Sequence, residues 1–295
     1  MQYPILHYWS EHGINKLTAG TLFVVATPIG NLEDMSPRAR RILSEVDVIA
    51  AEDTRHTGKL LSHFAIDTRQ LALHDHNESK AVNGIIEMLR LGKSVALVSD
   101  AGTPLISDPG YRTVRAAHRS GITVIPVPGA SAAIAAMSAA GLPSDRFAFE
   151  GFLPSKREAR LDRLRTLQGE TRTLIFFESV HRIEDCVADL VEIFGRDRNA
   201  FIGREISKLH EQCVSGPLHE IAEQLQSGTI VSKGEFVLIV AGSAEAEHLC
   251  ATVDADELLA ELLGAMPGSQ AADIVSKLSG QKRNEVYKKM LALKS

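Results

Sequence analysis

The chain has 295 residues, 44% of them hydrophobic, and carries a formal net charge of −5 at pH 7. This size can bury the cores of two domains with or without a small appendage, and the acidic balance excludes a uniformly basic nucleic-acid coat. The three cysteines are scattered and lack CxxC spacing, which argues against a disulfide framework or a zinc knuckle and indicates a reducing cytoplasm.

The first 19 residues contain no basic start followed by an apolar block, so they predict an N-terminal extension rather than a secretory signal. A later uncharged stretch, 120–144, is long enough for a membrane span. However, Pro126, Pro128 and Gly129 interrupt it, and its second half is mostly alanine. We interpret it as a buried strand, a tight turn and a packed helix, and we predict no membrane segment.

Residues 20–142 alternate apolar runs with helical patterns. The spacing predicts helices over 36–46, with Ser36 as N-cap and Pro37 at the first helical position, and over 77–92, ending at Gly92. Strands covered on both faces are predicted at 21–26, 47–51, 94–99 and 122–127. This alternation predicts a first α/β domain with a mainly parallel sheet.

A second α/β domain is predicted over 143–242. The stretch 139–155 is rich in Gly, Pro and Ser, and we interpret it as the link between the two domains. Strands are predicted near 173–177, 199–203 and 235–242, and helices near 155–167, 179–194 and 217–227.

Residues 243–295 differ in character from the rest of the chain. The part from 245 to 273 has acidic residues without lysine or arginine, whereas 274–295 holds six basic residues against Glu285 alone. The pattern predicts three short amphipathic helices, a helix-turn-helix-like appendage with a basic last helix. Such a charge run is either a solvated face or a nucleic-acid contact, and the sequence leaves both open.

The loops that follow the first-domain strands lack the usual nucleotide-binding motifs. "TPIGNLEDMS" contains no GxGxxG, and the chain has no GxxxxGK[ST]. In "VSDAGTPLISDPG", Gly102 allows a close backbone approach to a ligand while Pro104 fixes the loop. In "VPGASAA", Gly129 makes a sharp turn and Ser131 can cap the next helix, placing backbone N–H groups at a pocket. Structural turns use the same residues, so both interpretations stand.

The segment "AAEDTRHTGKLL" places five adjacent polar residues, 52–56, directly after a buried strand, and a simple helix cap needs only one of them. In "LHDHNE", His74 and His76 alternate, but no third metal ligand accompanies them at a characteristic spacing. A polar substrate wall or a helix start at Glu78 explains them as well, and we predict no metal site.

In the second domain, "FFESVHR" brings Glu178, His181 and Arg182 to the end of a strand. The segment 155–165 has five basic residues against two acidic ones, which fits a phosphate-facing helix or a surface helix with internal ion pairs.

Together these segments resemble the ribosomal RNA small-subunit methyltransferase I family of the tetrapyrrole (corrin/porphyrin) methylase superfamily. The resemblance covers most of residues 20–242 and rests on "GTLFVVATPIGNLEDMSPRA", "AAEDTRHTGKLL", "LHDHNE", "VALVSDAGTPLISDPGY", "AAGLPSDRFAFEGFLPSK" and "RTLIFFESVHR". It implies two α/β domains with S-adenosylmethionine bound in the cleft between them. It also implies methylation of the ribose 2′-oxygen of a cytidine in the decoding region of 16S rRNA, within the 30S subunit, by a homodimer.

The cofactor contacts that the resemblance implies are Pro28, Asp100, Gly102, Thr103, Ile106, Ser131, Ala132 and Phe177. The turn "PGASAA" has Ala130 where proline is frequent in the family, and a small residue preserves the pocket.

Two hypotheses complete the assignment. The base that takes the 2′-hydroxyl proton, or its orienting partner, comes from a polar set in which Asp53 is favoured: Glu52, Asp53, Arg55, His76 and Glu78. RNA phosphates are bound by basic residues of both domains and the appendage: Arg38, Arg40, Arg41, Lys156, Arg157, Lys282, Arg283, Lys288 and Lys289.

Three alternatives remain: a small-molecule corrin or porphyrin methylase, a non-catalytic RNA-binding module, and a nucleotide hydrolase. The hydrolase lacks a lysine near the phosphates, and a macrocycle enzyme does not require the basic appendage.

Overall fold

The computed structural model describes residues 19–73, 78–243, 255–279, 281 and 283–293. Within these residues the first sheet has five parallel strands in the order β3-β2-β4-β1-β5. They are β1 (Thr21–Val25), β2 (Val48–Ala51), β3 (Gln70–Ala72), β4 (Val95–Val98) and β5 (Thr123–Val127). The predicted parallel sheet is confirmed, and the three-residue strand β3, which precedes "LHDHNE", forms one of its edges.

Helices cover both faces of this sheet. Because successive strand residues point to opposite sides, Phe23 packs under α1 and α2, whereas Leu22 packs under α3 and α4. The Ser36 hydroxyl accepts the N–H of Ala39 at 3.1 Å, confirming the predicted cap. The helices are α1 (Pro37–Glu45), α2 (Thr54–His63), α3 (Glu78–Arg90) and α4 (Tyr111–Arg119).

The strand order places a crevice between β1 and β4. These neighbours send their following helices, α1 and α4, to opposite faces of the sheet. Their carboxyl ends therefore form a topological switch point, where open α/β sheets bind ligands.

The next helix, α5 (Ala132–Ala139), leaves the first sheet. Its buried Ala133, Ala136 and Met137 pack on Ile175 and Val237, which belong to the second sheet. The predicted turn and packed helix over 120–144 are confirmed, and the helix bridges the two sheets. The strand is also present, but the prediction that it is covered on both faces is wrong, because β5 lies at the sheet edge with Thr123 and Pro126 exposed.

The second sheet is mixed. Its order among the described residues is β6-β7-β10-β8-β9, with β6 parallel to β7 and the other pairs antiparallel. Its strands are β6 (Phe147–Phe152), β7 (Thr173–Ser179), β8 (Asn199–Arg204), β9 (Gln212–Pro217) and β10 (Glu235–Val240). Its outer face is covered by α6 (Arg157–Leu167), α7 (Ile183–Phe194) and α8 (Leu218–Gln226).

The segment 139–155, interpreted from sequence as a link, contains edge strand β6. A bulge between Phe149 and Gly151 interrupts its register with β7, and Gly151 has a φ of +66°. The glycine and proline signals mark this bulge and the flanking turns, so they hid the strand.

The C-terminal residues form three helices, as predicted: α9 (Ala255–Ala265), α10 (Gly268–Ser279) and α11 (Arg283–Leu293). They enclose their own core, in which Leu259, Val275 and Val286 are fully buried. Across the part of the chain that the structure describes, helices are too short or too polar to cross a membrane.

Candidate active site

Three loops at the carboxyl edge of the first sheet are bonded to one another. Thr27, after β1, and Gly102, after β4, exchange two backbone hydrogen bonds of 2.9 and 3.1 Å. The Thr103 hydroxyl donates to the carbonyl of Ala130, after β5, at 3.0 Å. Hydrogen bonds thus join the three loops into a single unit, which forms the floor of the switch-point crevice.

Gly102 is required by this arrangement. Its φ is +84°, and a Cβ there would lie 3.2 Å from Cγ2 of Ile29. Any other residue would be strained by its backbone angle and crowded by the neighbouring loop.

Backbone strain is concentrated in two loops that face each other. Among the described residues, five non-glycine residues have a positive φ, and four of them lie in the loops after β4 and β8. The fifth is Ala65. These four are Leu105, Ser107, Glu205 and Ser207, with φ of 73°, 66°, 49° and 68°. Strain of this kind persists where the surrounding structure fixes it, and it concentrates at functional sites.

A cavity of about 410 Å³ lies between the two sheets. This volume is in the range of small-molecule and cofactor sites. Its first-domain wall includes Ile29, Glu52, Asp100, Gly102, Thr103, Ile106, Ser107, Asp108, Ser131 and Ala132, and its second-domain wall includes Phe152, Phe177, Glu178, Gly203, Ile206 and Lys208.

Seven of the eight predicted cofactor residues line this cavity: Asp100, Gly102, Thr103, Ile106, Ser131, Ala132 and Phe177. At the eighth position the wall is formed by the adjacent Ile29 instead of Pro28. Ser131 occupies the N-cap of α5, but its hydroxyl accepts no hydrogen bond from the helix, so the predicted side-chain cap is wrong.

The loop after β4 carries two carboxylates close together. Asp100 accepts the backbone N–H of Asp53 at 3.1 Å, which ties the loop to the end of β2. Burial raises the pKa of Asp108, and the negative charge of Asp100 raises it further, while a hydrogen bond from Ser99 opposes the shift.

Asp53 and Arg55 form a bidentate pair at the start of α2. Asp53 accepts the Arg55 backbone N–H at 2.8 Å, as a helix cap, and binds the guanidinium at 2.8 and 3.1 Å. These hydrogen bonds hold the pKa of Asp53 well below its ordinary value. Of the predicted catalytic residues, Glu52 lines the cavity, Glu78 begins α3, and His76, like His74, lies outside the described residues.

The second-domain wall also carries Glu178, Glu235 and Lys208, each held in an ion pair. Buried Glu178 is bound by Arg182 at 2.7 Å and by the backbone N–H of Ser179 at 2.7 Å. Lys208 binds Glu205 and Glu235, each at 2.9 Å.

Sequence reasoning missed Asp108 and Phe152 as cavity residues, whereas "GREISKLHE", 203–211, offered Lys208 among Arg204, Glu205 and Glu211. Asp108 lies in a "DPG" turn, where aspartate is an ordinary turn residue and gives no separate signal. Phe152 lies on an edge strand that no local pattern marks.

The basic helix α6 is largely neutralised. Arg157 binds Asp189 at 2.9 Å and Glu192 at 2.8 Å, and the buried Arg160 binds the other oxygen of Asp189 at 2.7 Å. Most of the positive charge of α6 is therefore used in ion pairs, as the interpretation of a surface helix with internal ion pairs expects.

The other predicted RNA-binding residues fall into four groups. Three are in ion pairs: Arg41 with Glu45, Arg283 with Asp273, and Lys289 with Asp256. Arg40 lies 4.7 Å over the Phe64 ring. Arg38, Lys156 and Lys288 are exposed, and Lys282 lies outside the described residues.

Among the described residues, no group of three or more His, Cys, Asp or Glu side chains could hold a metal ion. The fold and the cavity define a two-domain α/β protein with a ligand-sized cavity between its sheets and without a glycine-rich dinucleotide loop.

Comparison with known proteins identifies the family. The family model for Tetrapyrrole (Corrin/Porphyrin) Methylases matches residues 21–222, and that for the RsmI C-terminal HTH domain matches residues 251–294. Ribosomal RNA small subunit methyltransferase I of Xylella fastidiosa (strain Temecula1) is 52% identical over 92% of this chain and 98% of its own. The protein of that name from Escherichia coli O157:H7 is 49% identical over 94% and 97%. The chain belongs to the ribosomal RNA small subunit methyltransferase I family, within the tetrapyrrole methylases.

Solved structures show the same fold. Cobalt precorrin-4 methyltransferase CbiF superposes with a TM-score of 0.55 at 17% identity, covering 75% of this chain and 94% of its own. Uroporphyrin-III C-methyltransferase from Thermus thermophilus, complexed with S-adenosyl homocysteine, superposes with a TM-score of 0.51 at 20% identity, covering 75% and 96%.

Proposed function

We propose that this protein transfers a methyl group from S-adenosylmethionine to the ribose 2′-oxygen of a cytidine in the decoding region of 16S rRNA. The observation that carries the proposal is the cavity between the sheets, lined by seven of the eight residues that the family resemblance assigns to the cofactor. Membership of an rRNA methyltransferase family supports the substrate class.

The cavity fits this cofactor chemically. Carboxylates of Asp100, Asp108 and Glu178 favour a cation such as a sulfonium, and Phe152 and Phe177 offer aromatic surface to an adenine. The N-terminus of α5, which lacks a side-chain cap, leaves backbone N–H groups for a carboxylate. These residues would hold the cofactor.

S-adenosylmethionine supplies a methyl group on a sulfonium, which is already a good leaving group. The chain must therefore align the acceptor oxygen, exclude water and take one proton. Alignment contributes about 7–11 kcal/mol in favourable cases, and a general base adds about 10²–10⁴-fold. The bonded loops of Thr27, Gly102 and Ala130 provide a rigid floor for alignment.

Within the catalytic set Glu52, Asp53, Arg55, His76 and Glu78, the geometry favours a division of roles. Glu52 lines the cavity and takes the proton, whereas the Asp53–Arg55 pair orients the end of β2. Because Arg55 lowers the pKa of Asp53, that carboxylate is a weaker base than an ordinary aspartate.

Glu52→Gln tests this division. The substitution should lower turnover about 100-fold or more while leaving the S-adenosylmethionine Kd within about threefold, measured by calorimetry. Asp53→Ala should also lower turnover more than cofactor affinity. An equal loss of turnover and affinity in both variants would refute a catalytic role for this segment.

The substrate is tested by methyl transfer from labelled cofactor. Label should enter 30S subunits and not a tetrapyrrole precursor; the reverse would establish the small-molecule alternative. Calorimetry with S-adenosylmethionine excludes the non-catalytic RNA-binding module if the cofactor binds.

The C-terminal helices are proposed as an RNA contact. Deleting residues 243–295 should weaken RNA binding and flatten its salt dependence, because each lost phosphate contact removes about 0.7 from the slope for a single strand. An unchanged slope would assign α11 to a solvated face. We further propose that the protein is a cytoplasmic homodimer that acts on the 30S subunit. Sedimentation of the purified protein measures its oligomeric state directly.

A further inference from the structure

Helix α4 carries an arginine stripe that was not among the RNA-binding residues predicted from sequence. Arg112, Arg115 and Arg119 are exposed and follow i, i+3, i+7 spacing, which places them on one face. The helix contains no acidic residue. Over seven residues the stripe extends for about 10 Å along the helix.

Comparison with α6 shows why α4 differs. The four arginines of α6 each bind a carboxylate: Arg157 and Arg160 share Asp189, Arg163 binds Glu150 at 2.5 Å, and Arg165 binds Asp162 at 2.6 Å. In α4, by contrast, neither Arg115 nor Arg119 has an ion pair with a described carboxylate. In a chain with a net charge of −5, this leaves α4 as a local positive surface.

Helix α4 begins a short distance along the chain from the cavity wall. Asp108 lines the cavity, and α4 starts three residues later at Tyr111. Gly110 makes the turn with a φ of +123°, and a Cβ there would lie 2.9 Å from Cδ2 of Leu97. The chain thus passes directly from the cavity wall to an exposed helix.

Tyr111 adds an aromatic surface to this stripe. Its side chain is 63% exposed, and the Arg115 guanidinium lies 6.0 Å from its ring centroid. Basic residues beside an exposed aromatic ring are the combination that binds single-stranded RNA, through phosphates and base stacking.

We propose that α4 binds the RNA strand that carries the target nucleotide, with its arginines on phosphates and Tyr111 stacked on a neighbouring base. This inference rests on the proposed function, because it takes RNA as the substrate. It gives the strand a path from the exposed helix into the cavity.

The test uses the full-length protein and a 16S rRNA decoding-region fragment, with affinity measured across a range of salt concentrations. The double variant R115Q/R119Q should bind on the order of tenfold more weakly at low salt, with a log–log salt slope shallower by about 1.4. The matched control R163Q/R165Q removes two charges that are already paired, and its slope should stay that of the unaltered protein.

Tyr111→Ala provides a second readout. Stacking is not electrostatic, so this variant should lose about fivefold or more in affinity with an unchanged salt slope. Equal slopes in R115Q/R119Q and the unaltered protein would overturn the proposal, as would a change in sedimentation without a change in RNA affinity. Calorimetry with S-adenosylmethionine and methyl transfer to 30S subunits by the unaltered protein report on the proposed function separately.

Discussion

Asp34 accepts a hydrogen bond from the hydroxyl of Ser207, which lies 173 positions further along the chain in the other domain. Beside this bond, the Lys208 side chain lies against Gly30, where a Cβ would be only 2.3 Å from the lysine Cγ. We call these four residues the interdomain clasp. Because Lys208 also lines the cavity, the clasp closes one of its sides.

Gly30→Ala should open the clasp. The added methyl would force the Lys208 stem and its loop away from the first domain, since overpacking of this kind costs about 1–3 kcal/mol. We expect the Kd for S-adenosylmethionine to rise about tenfold, equivalent to 1.4 kcal/mol, measured by calorimetry.

Gly84→Ala is the matched control for that variant. Gly84 lies in α3 with nothing within 4 Å of an added Cβ, so alanine should leave cofactor affinity unchanged and stabilise the helix by up to about 1 kcal/mol. Unchanged affinity in Gly30→Ala would show that the clasp has no part in cofactor binding.

Thr103→Val should loosen the floor of the cavity. It removes the hydroxyl that bonds to the carbonyl of Ala130 at 3.0 Å, while keeping the shape of the side chain. We expect the free energy of unfolding to fall by about 1 kcal/mol and the cofactor Kd to rise about fivefold. Thr166→Val, which removes an exposed helix hydroxyl bonded to Arg163, is the control and should leave the Kd unaltered.

Asp189→Ala should destabilise the second domain strongly. The Asp189 side chain is 1% exposed and binds Arg160, which is 3% exposed, so its removal leaves a buried guanidinium unpaired. We expect a loss of about 3–5 kcal/mol in urea denaturation. Asp162→Ala breaks an exposed pair and should cost at most about 1 kcal/mol. Similar losses in both variants would mean that burial of the pair is energetically unimportant.

Asp108→Asn should change how stability depends on pH. Burial raises the folded-state pKa of Asp108, so the folded protein holds this proton more tightly than the unfolded chain does. Ionisation therefore destabilises the fold as pH rises from the ordinary value of 3.8 through the raised pKa, and this cost is fully present above it.

The asparagine variant lacks this cost. Its advantage in melting temperature over the unaltered protein should grow across that pH window and be constant below it. Asp145→Asn, at an exposed aspartate, serves as the control. A constant difference between Asp108→Asn and the unaltered protein at every pH would contradict the burial of this carboxylate.

The parallel sheet and the edge that carries the cavity could be predicted from sequence because buried strands and helix caps are local signals. Val95–Val98 is a continuous apolar run, and Ser36-Pro37 is a helix start that needs no tertiary context. The turns at Gly102 and Gly129 can likewise be predicted from residue type alone.

The second-domain wall could not be predicted in the same way. Lys208 and Asp34 meet the opposite domain through long-range packing, and no local pattern encodes that encounter. Arg157 looked like a phosphate ligand because its partners, Asp189 and Glu192, lie more than thirty residues away on α7. The fold determines which residues of different helices form ion pairs, so only the structure shows which arginines are paired.

The position of α5 constrains how the molecule can be divided. Ile175, Phe201, Val237 and Ile239 are sheltered by a helix encoded upstream of residue 142. A fragment starting at residue 143 would expose this apolar sheet face to water and aggregate, whereas one starting near residue 128 would carry its own cover. Expression of the C-terminal half on its own therefore requires α5, the helix that precedes it in the chain.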